Sequence, residues 1–215
     1  MTPSTLMVID PSITHPEVAS FNKIVETCPL PCTFHLPVLS DINSISRSLS
    51  NACGIIILGS AASVHDKTDW QSSLGEVIDG AMGKDIPILG ICFGHQFLAS
   101  HLGGQVDYLW NKEKKKGARQ VDIKRNSLID SDRTCHLIYS HQEGIINCPN
   151  DFEVIASSDM VEMEGIGHES KAIWGFQTHI EASWSFAQRQ DISIEDYEKA
   201  NEHGTQIMQS FFKKL

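Results

Sequence analysis

Pro87-Ile88-Leu89-Gly90-Ile91-Cys92-Phe93-Gly94-His95-Gln96, continuing as Phe97-Leu98-Ala99-Ser100-His101-Leu102-Gly103-Gly104, decides how this chain folds. An apolar run predicts a buried strand, Gly90-x-Cys92-x-Gly94 a sharp turn, and the residues after it a short amphipathic helix closed by a glycine pair. Glycines two positions either side of Cys92 let the backbone reverse without side-chain clashes, which is the pattern of a nucleophile elbow with sulfur in place of oxygen. At a helix N-terminus, unpaired N–H groups and the helix dipole favour a thiolate. A buried structural cysteine in an ordinary strand-to-helix turn is the alternative, so the weight falls on whether the chain supplies partners for the sulfur.

Upstream, Leu6–Asp10 reads as a first buried strand, helix signals run from Glu17 to Glu26, and Cys32–Leu36 reads as a second strand. Asp41–Asn51 carries Ile42, Ile45 and Leu49 on one helical stripe, with Ser40 or Asp41 as N-cap. Gly54–Leu58 is almost continuously apolar and β-branched, as in a strand covered on both faces. Leu74, Val77, Ile78 and Met82 then recur at helical spacing before Gly83. Strands alternating with helices predict a doubly wound α/β fold with a mostly parallel sheet, helices on both faces, and sites beyond the carboxyl ends of the strands.

The second half is richer in strand signals: Gln105–Leu109, Gln120–Lys124, His136–Ser140, Phe152–Ser157 and Ala172–Gln177 form a β-rich extension, punctuated by Gly144, Pro149-Asn150 and Gly165-Ile166-Gly167. Ser193 with Asp196 resembles a helix cap, and Tyr197, Ala200, Ile207, Met208, Phe211 and Phe212 predict a terminal helix. No repeat, linker or low-complexity stretch interrupts the 215 residues, so a single domain, 1–215, is expected.

Composition narrows the function classes. A net charge of −10 disfavours nucleic acid and anionic membrane as partners, and no apolar run is long enough to span a bilayer. The start lacks a signal-peptide pattern and six scattered cysteines lack a disulfide framework, so free thiols and a cytoplasmic location are expected. Cys28-Pro29-Leu30-Pro31-Cys32 is spaced C-x-x-x-C without a second ligand pair and reads as a loop, so no metal is expected. Gly80-Ala81-Met82-Gly83-Lys84-Asp85 has neither the spacing nor the hydroxyl of a phosphate-binding loop, and no cofactor is expected. Lys112-Glu113-Lys114-Lys115-Lys116 reads as a solvated loop, with partner or anion docking as the minor alternative.

A cysteine nucleophile needs a histidine, and the histidine an acceptor that orients it. In Gly175-Phe176-Gln177-Thr178-His179-Ile180-Glu181, His179 and Glu181 stand two residues apart on an extended segment and point to one side. Amide cleavage also needs donors for the developing oxyanion. The Phe93 N–H, directly after Cys92, supplies one; Leu58–Val64, a loop of small residues, reads equally as a second source or as an ordinary β–α turn.

These residues together resemble a class I, triad-type glutamine amidotransferase domain over nearly the whole chain. The resemblance implies a flavodoxin-like fold and a reaction in which Cys92 attacks the side-chain amide of glutamine. His179 would protonate the departing ammonia, Glu181 orient His179, and water hydrolyse the γ-glutamyl thioester. It implies an oxyanion hole from the backbone of Phe93 and Ser60, helped by Gly59, and substrate contacts from Gln96 and from the segment holding Ser140, His141 and Glu143. Three departures from the family pattern stand out. Leu58-Gly59-Ser60-Ala61 replaces Ser-Gly-Gly-Pro, His179-Ile180-Glu181 replaces His-Pro-Glu, and Ser140-His141-Gln142-Glu143 replaces the Ser-His-x-Asp of the guanylate synthetase type. Three functions follow as expectations: a glutamine-hydrolysing enzyme that passes ammonia to a synthase partner, a γ-glutamyl peptidase acting on other γ-glutamyl amides, or a binding protein that has kept the fold.

Overall fold

The computed structural model describes residues 4–39 and 43–215. The predicted cap at Ser40 or Asp41, and Ile42 of the stripe, lie outside the described residues. In chain order the elements are β1 (Thr5–Ile9), α1 (Val18–Thr27), β2 (Cys32–His35), α2 (Asn43–Ser48), β3 (Ala52–Ile57), α3 (Asp69–Met82), β4 (Ile88–Ile91), α4 (Phe93–His101) and β5 (Gln105–Tyr108). They continue with β6 (Lys115–Ile123), β7 (Arg133–His141), β8 (Glu143–Asn147), β9 (Phe152–Ser157), β10 (Gly165–His168), β11 (Ile173–Phe176), α5 (Trp184–Arg189) and α6 (Ile194–Phe212).

The large sheet runs β2-β1-β3-β4-β11-β10-β9-β6-β7. Its first five strands pair in parallel in the doubly wound order expected from the β–α alternation. The next pairings are antiparallel. The β-rich second half therefore continues the same sheet, while β5 and β8 form a separate two-stranded ribbon.

Period-2 side-chain alternation explains the layers. Along β1, Leu6 and Val8 join a core with Ile24 of α1 and Ile207 and Phe211 of α6. Met7 and Ile9 face the other way, against Ile45 of α2, Leu74 and Ile78 of α3 and Leu98 of α4. These four side chains of β1 are fully buried, and each such aliphatic contributes about 1.5–3 kcal/mol to folding. At the start of α6, the Ser193 hydroxyl accepts from the Asp196 N–H at 3.1 Å, as its sequence pattern indicates.

Three features differ from expectation. The glycine punctuation at 165–167 is itself strand β10, and β8 and α5 arise where no element was expected. The lysine run is not one loop: Lys115 and Lys116 begin β6, paired with His141 and Ser140 of β7. The turn before them holds Trp110, Asn111 and Lys112 at φ 50, 56 and 68°, a left-handed conformation that ordinary residue preferences do not announce.

Candidate active site

The sheet brings the site together. β4 and β11 are parallel neighbours in register, Ile91 opposite Phe176, and the Cys92 N–H donates to the Phe176 carbonyl at 2.8 Å. The residue after one strand and the third residue after the other thus meet at the same sheet end. Cys92 sits at φ 51°, ψ −103°, a conformation that costs a non-glycine residue roughly 1–3 kcal/mol. The turn that imposes it has no spare room: a Cβ on Gly94 would lie 2.3 Å from the Ile57 carbonyl oxygen, and one on Gly90 2.6 Å from the Gly94 carbonyl.

His179 Nδ1 lies 2.9 Å from Glu181 Oε1, and both side chains are buried. That contact leaves Nε2 for the sulfur, with which the imidazole is in hydrogen-bond contact. Burial opposes a charged imidazole, but the Glu181 carboxylate and the Cys92 sulfur outweigh it and hold the pKa of His179 at about 10. Phe93 opens α4, so its N–H lies in the first turn, where the helix itself offers no acceptor. Across from it, Gly59 approaches so closely that a Cβ there would stand 2.7 Å from His179 Cε1. The next residue, Ser60, is anchored by its hydroxyl, which donates to the Pro11 carbonyl at 2.7 Å and accepts from the Ala62 N–H at 3.0 Å.

Two recesses flank the sulfur and imidazole. A small one, about 40 Å³, is lined by Cys92, Gln96, His141 and Glu143 among others. A cleft of about 350 Å³ opens on the other side, against Gly59, Ser60, Ser140, His179 and Glu181. The expected substrate residues are therefore divided: Gln96, His141 and Glu143 line the small recess, Ser140 the large cleft. Ser140 there donates to Gln190 Oε1 at 2.8 Å.

Behind the small recess runs a buried network with three members that received no role from sequence: Arg119, Glu164 and Gln177. Arg119 Nη2 donates to Glu164 Oε2 at 2.7 Å and to His141 Nε2 at 3.0 Å. His141 Nδ1 is 2.8 Å from the Glu143 carbonyl oxygen, which can only accept, so the proton sits on Nδ1 and Nε2 keeps its lone pair for Arg119. This arrangement has no place for a second proton; burial first, then the Arg119 charge, pull the His141 pKa down to about 3. The Gln96 amide nitrogen donates to the Glu143 carbonyl at 2.7 Å and to Gln177 Oε1 at 3.0 Å. Gln177 in turn donates to the Cys92 sulfur at 3.7 Å. Glu143 itself is buried, and its Oε1 has no partner among the described residues. Such a carboxylate suits a cationic group of a ligand.

The molecule thus pairs a doubly wound α/β sheet with a cysteine on a strained elbow beside a buried histidine–glutamate pair. The family described as Glutamine amidotransferase class-I matches residues 20–192, and the chain belongs to that family. The chain is 31% identical over 136 residues to a glutamine-hydrolyzing GMP synthase subunit of Thermoplasma volcanium, covering 63% of this chain and 66% of that one. It is 32% identical over 170 residues to the glutamine-hydrolyzing GMP synthase of Bacteroides fragilis, covering 79% of this chain but only 29% of that protein's length. Among solved structures, a GMP synthase subunit protein of Thermoplasma acidophilum superposes with a TM-score of 0.77 at 22% identity, over 100% of this chain and 94% of that one. A glutamine amidotransferase of Thermotoga maritima gives 0.75 at 18%, over 99% and 98%. Among the described residues no helix is long and apolar enough to cross a membrane.

Proposed function

We propose that the protein hydrolyses the side-chain amide of glutamine through a γ-glutamyl thioester on Cys92. The observation that carries this reading is Cys92 held at φ 51° beside a histidine whose far nitrogen is tied to Glu181 at 2.9 Å. The Cys92 sulfur attacks the γ-carbonyl carbon while the backbone N–H groups of Phe93 and Ser60, with Gly59 beside them, receive the oxyanion. Protonated His179 gives its Nε2 proton to the departing nitrogen, the C–N bond breaks, and the thioester remains. Water, deprotonated by the now neutral His179, then adds to the thioester carbonyl, and the C–S bond breaks to release glutamate and return the thiolate beside protonated His179. The small recess holds the amino-acid end, with the unpartnered Glu143 carboxylate toward the α-ammonium and Gln96 positioning Glu143 and Gln177 rather than reacting. Relatives named as a glutamine-hydrolyzing synthase subunit support release of the ammonia toward a synthase partner.

The test is ammonia and glutamate release from glutamine by wild type, Cys92→Ala and His179→Ala. Each variant is expected to lose at least about 10³-fold in kcat with an unchanged circular dichroism spectrum. An electrophilic glutamine analogue is expected to label Cys92 alone among the six cysteines. Wild-type-like turnover by either variant, or label spread over several thiols, overturns the assignment.

A further inference from the structure

We propose that the large cleft is a leaving-group site for a carboxylate-bearing amine, so that the protein cleaves γ-glutamyl amino acids and peptides, with Lys114 reading the carboxylate. The inference rests on the assignment of Cys92 and His179 above and names the substrate class of that same site.

Position comes first. The leaving nitrogen must receive its proton from His179, so whatever that nitrogen carries lies on the His179 side, where the cleft opens. Size comes next. Ammonia is about as large as water, which needs only about 10–15 Å³ of cavity; the cleft offers about 350 Å³, within the range of small-molecule sites.

Charge then selects the class. The cleft's charges cancel in pairs: His179 with Glu181, and Arg189 with Glu17, whose Oε2 accepts from Nη2 at 2.6 Å. Lys114 is left over, an exposed residue on the cleft wall with no ion pair or hydrogen bond among the described residues. Its neighbours in the lysine run are committed elsewhere. Lys112 and Lys115 lie over the rings of Tyr108 and Trp110, at 4.6 and 5.1 Å, and Lys116 pairs with Asp191 at 2.6 Å. The cleft thus presents one unbalanced positive charge, at Lys114, which suits an anionic oxygen ligand.

The bond changes are those of glutamine hydrolysis with an amino acid in place of ammonia. The Cys92 sulfur bonds to the γ-carbon, the γ-amide C–N bond breaks, and the His179 proton goes to the amino acid's nitrogen. Water then hydrolyses the thioester.

The experiment compares kcat/KM for γ-glutamylglycine, γ-glutamylglycinamide and glutamine in wild type, Lys114→Ala, Lys114→Glu and Lys114→Arg. The expected result is a preference of roughly tenfold or more for γ-glutamylglycine over its glycinamide in wild type. Lys114→Arg should keep that ratio, Lys114→Ala bring it close to one, and Lys114→Glu invert it. Equal turnover of acid and amide, or a ratio that survives Lys114→Ala, overturns the proposal. Turnover of glutamine with neither dipeptide cleaved also overturns it and leaves the glutaminase reading standing. Failure on all three substrates, with no labelling of Cys92 by an electrophilic glutamine analogue, overturns both.

Discussion

His179 shows how a few side chains set the chemistry. Alone and buried, an imidazole would stay neutral; with Glu181 at 2.9 Å and the Cys92 sulfur beside it, its pKa is held at about 10, and the proton needed by a leaving amine is present at neutral pH. Glu181→Gln keeps the size of the side chain and removes the largest of the contributions that raise the pKa against burial. It is expected to lower kcat by about 10²–10⁴-fold with little change in KM. Steady-state kinetics at pH 7 check this, and a kcat within threefold of wild type would show that Glu181 does not orient the imidazole. Cys92, His179 and Glu181 were legible in the sequence because each carries its context locally: glycines two positions either side of the sulfur, and a carboxylate two positions from the imidazole. Arg119 and Glu164 were not. They meet across strand β6 and the approach to β10, 45 positions apart in sequence, and neither has a local pattern that points to the other. Lys114 was visible only as one of several lysines; its distinction is that the others found partners.

The strand–turn–helix around Cys92 is the element on which that chemistry stands. It was legible because steric demand writes itself as glycine: the Cβ of any other residue at position 94 would press into the Ile57 carbonyl at 2.3 Å, and backbone in the centre of a sheet cannot yield. Gly94→Ala is therefore expected to destabilise by about 3 kcal/mol or more and to abolish labelling of Cys92 by the glutamine analogue, since relief of the clash must move the helix that presents the sulfur. Urea unfolding with a labelling assay below the transition tests it; near-wild-type stability would mean that the elbow has slack. Elements with weaker local signals were read less well. β8 and β10 each contain glycine, which mimics a turn when read alone, and are held as strands by partners distant in sequence: β5 for one, β9 and β11 for the other. The six-residue α5 is too short for helical periodicity to declare itself, and its start depends on the Ser183 hydroxyl accepting from the Phe186 N–H at 3.2 Å.

At the scale of the molecule, the alternation of strands and helices foretold the parallel half of the sheet, because each β–α unit closes locally. The antiparallel half depends on which distant strands pair, and β11 decides that by taking β4 on one edge and β10 on the other. Closing the sheet around this strand buries His95 completely against Gly175, with Nε2 3.3 Å from the Met163 carbonyl. Burial pulls the His95 pKa down to about 4, although the Met163 and Gly175 backbone favour the charged form. The unfolded chain binds a proton at this histidine below about pH 6.5, and the folded chain does not until about pH 4. Between these values the unfolded state holds more protons, so this group's contribution falls as the pH falls. His141 acts in the same direction down to about pH 3. His179, whose pKa is raised, acts oppositely: its contribution is complete below about pH 6.5 and lost as the pH rises toward 10. Replacing His95 isolates one part of the acid limb. From pH 8 to pH 5, wild type is expected to lose about 2 kcal/mol more stability than His95→Gln. Parallel urea titrations at the two pH values measure the difference directly, and equal losses in the two proteins would mean that His95 is protonated in the folded state or accessible to water.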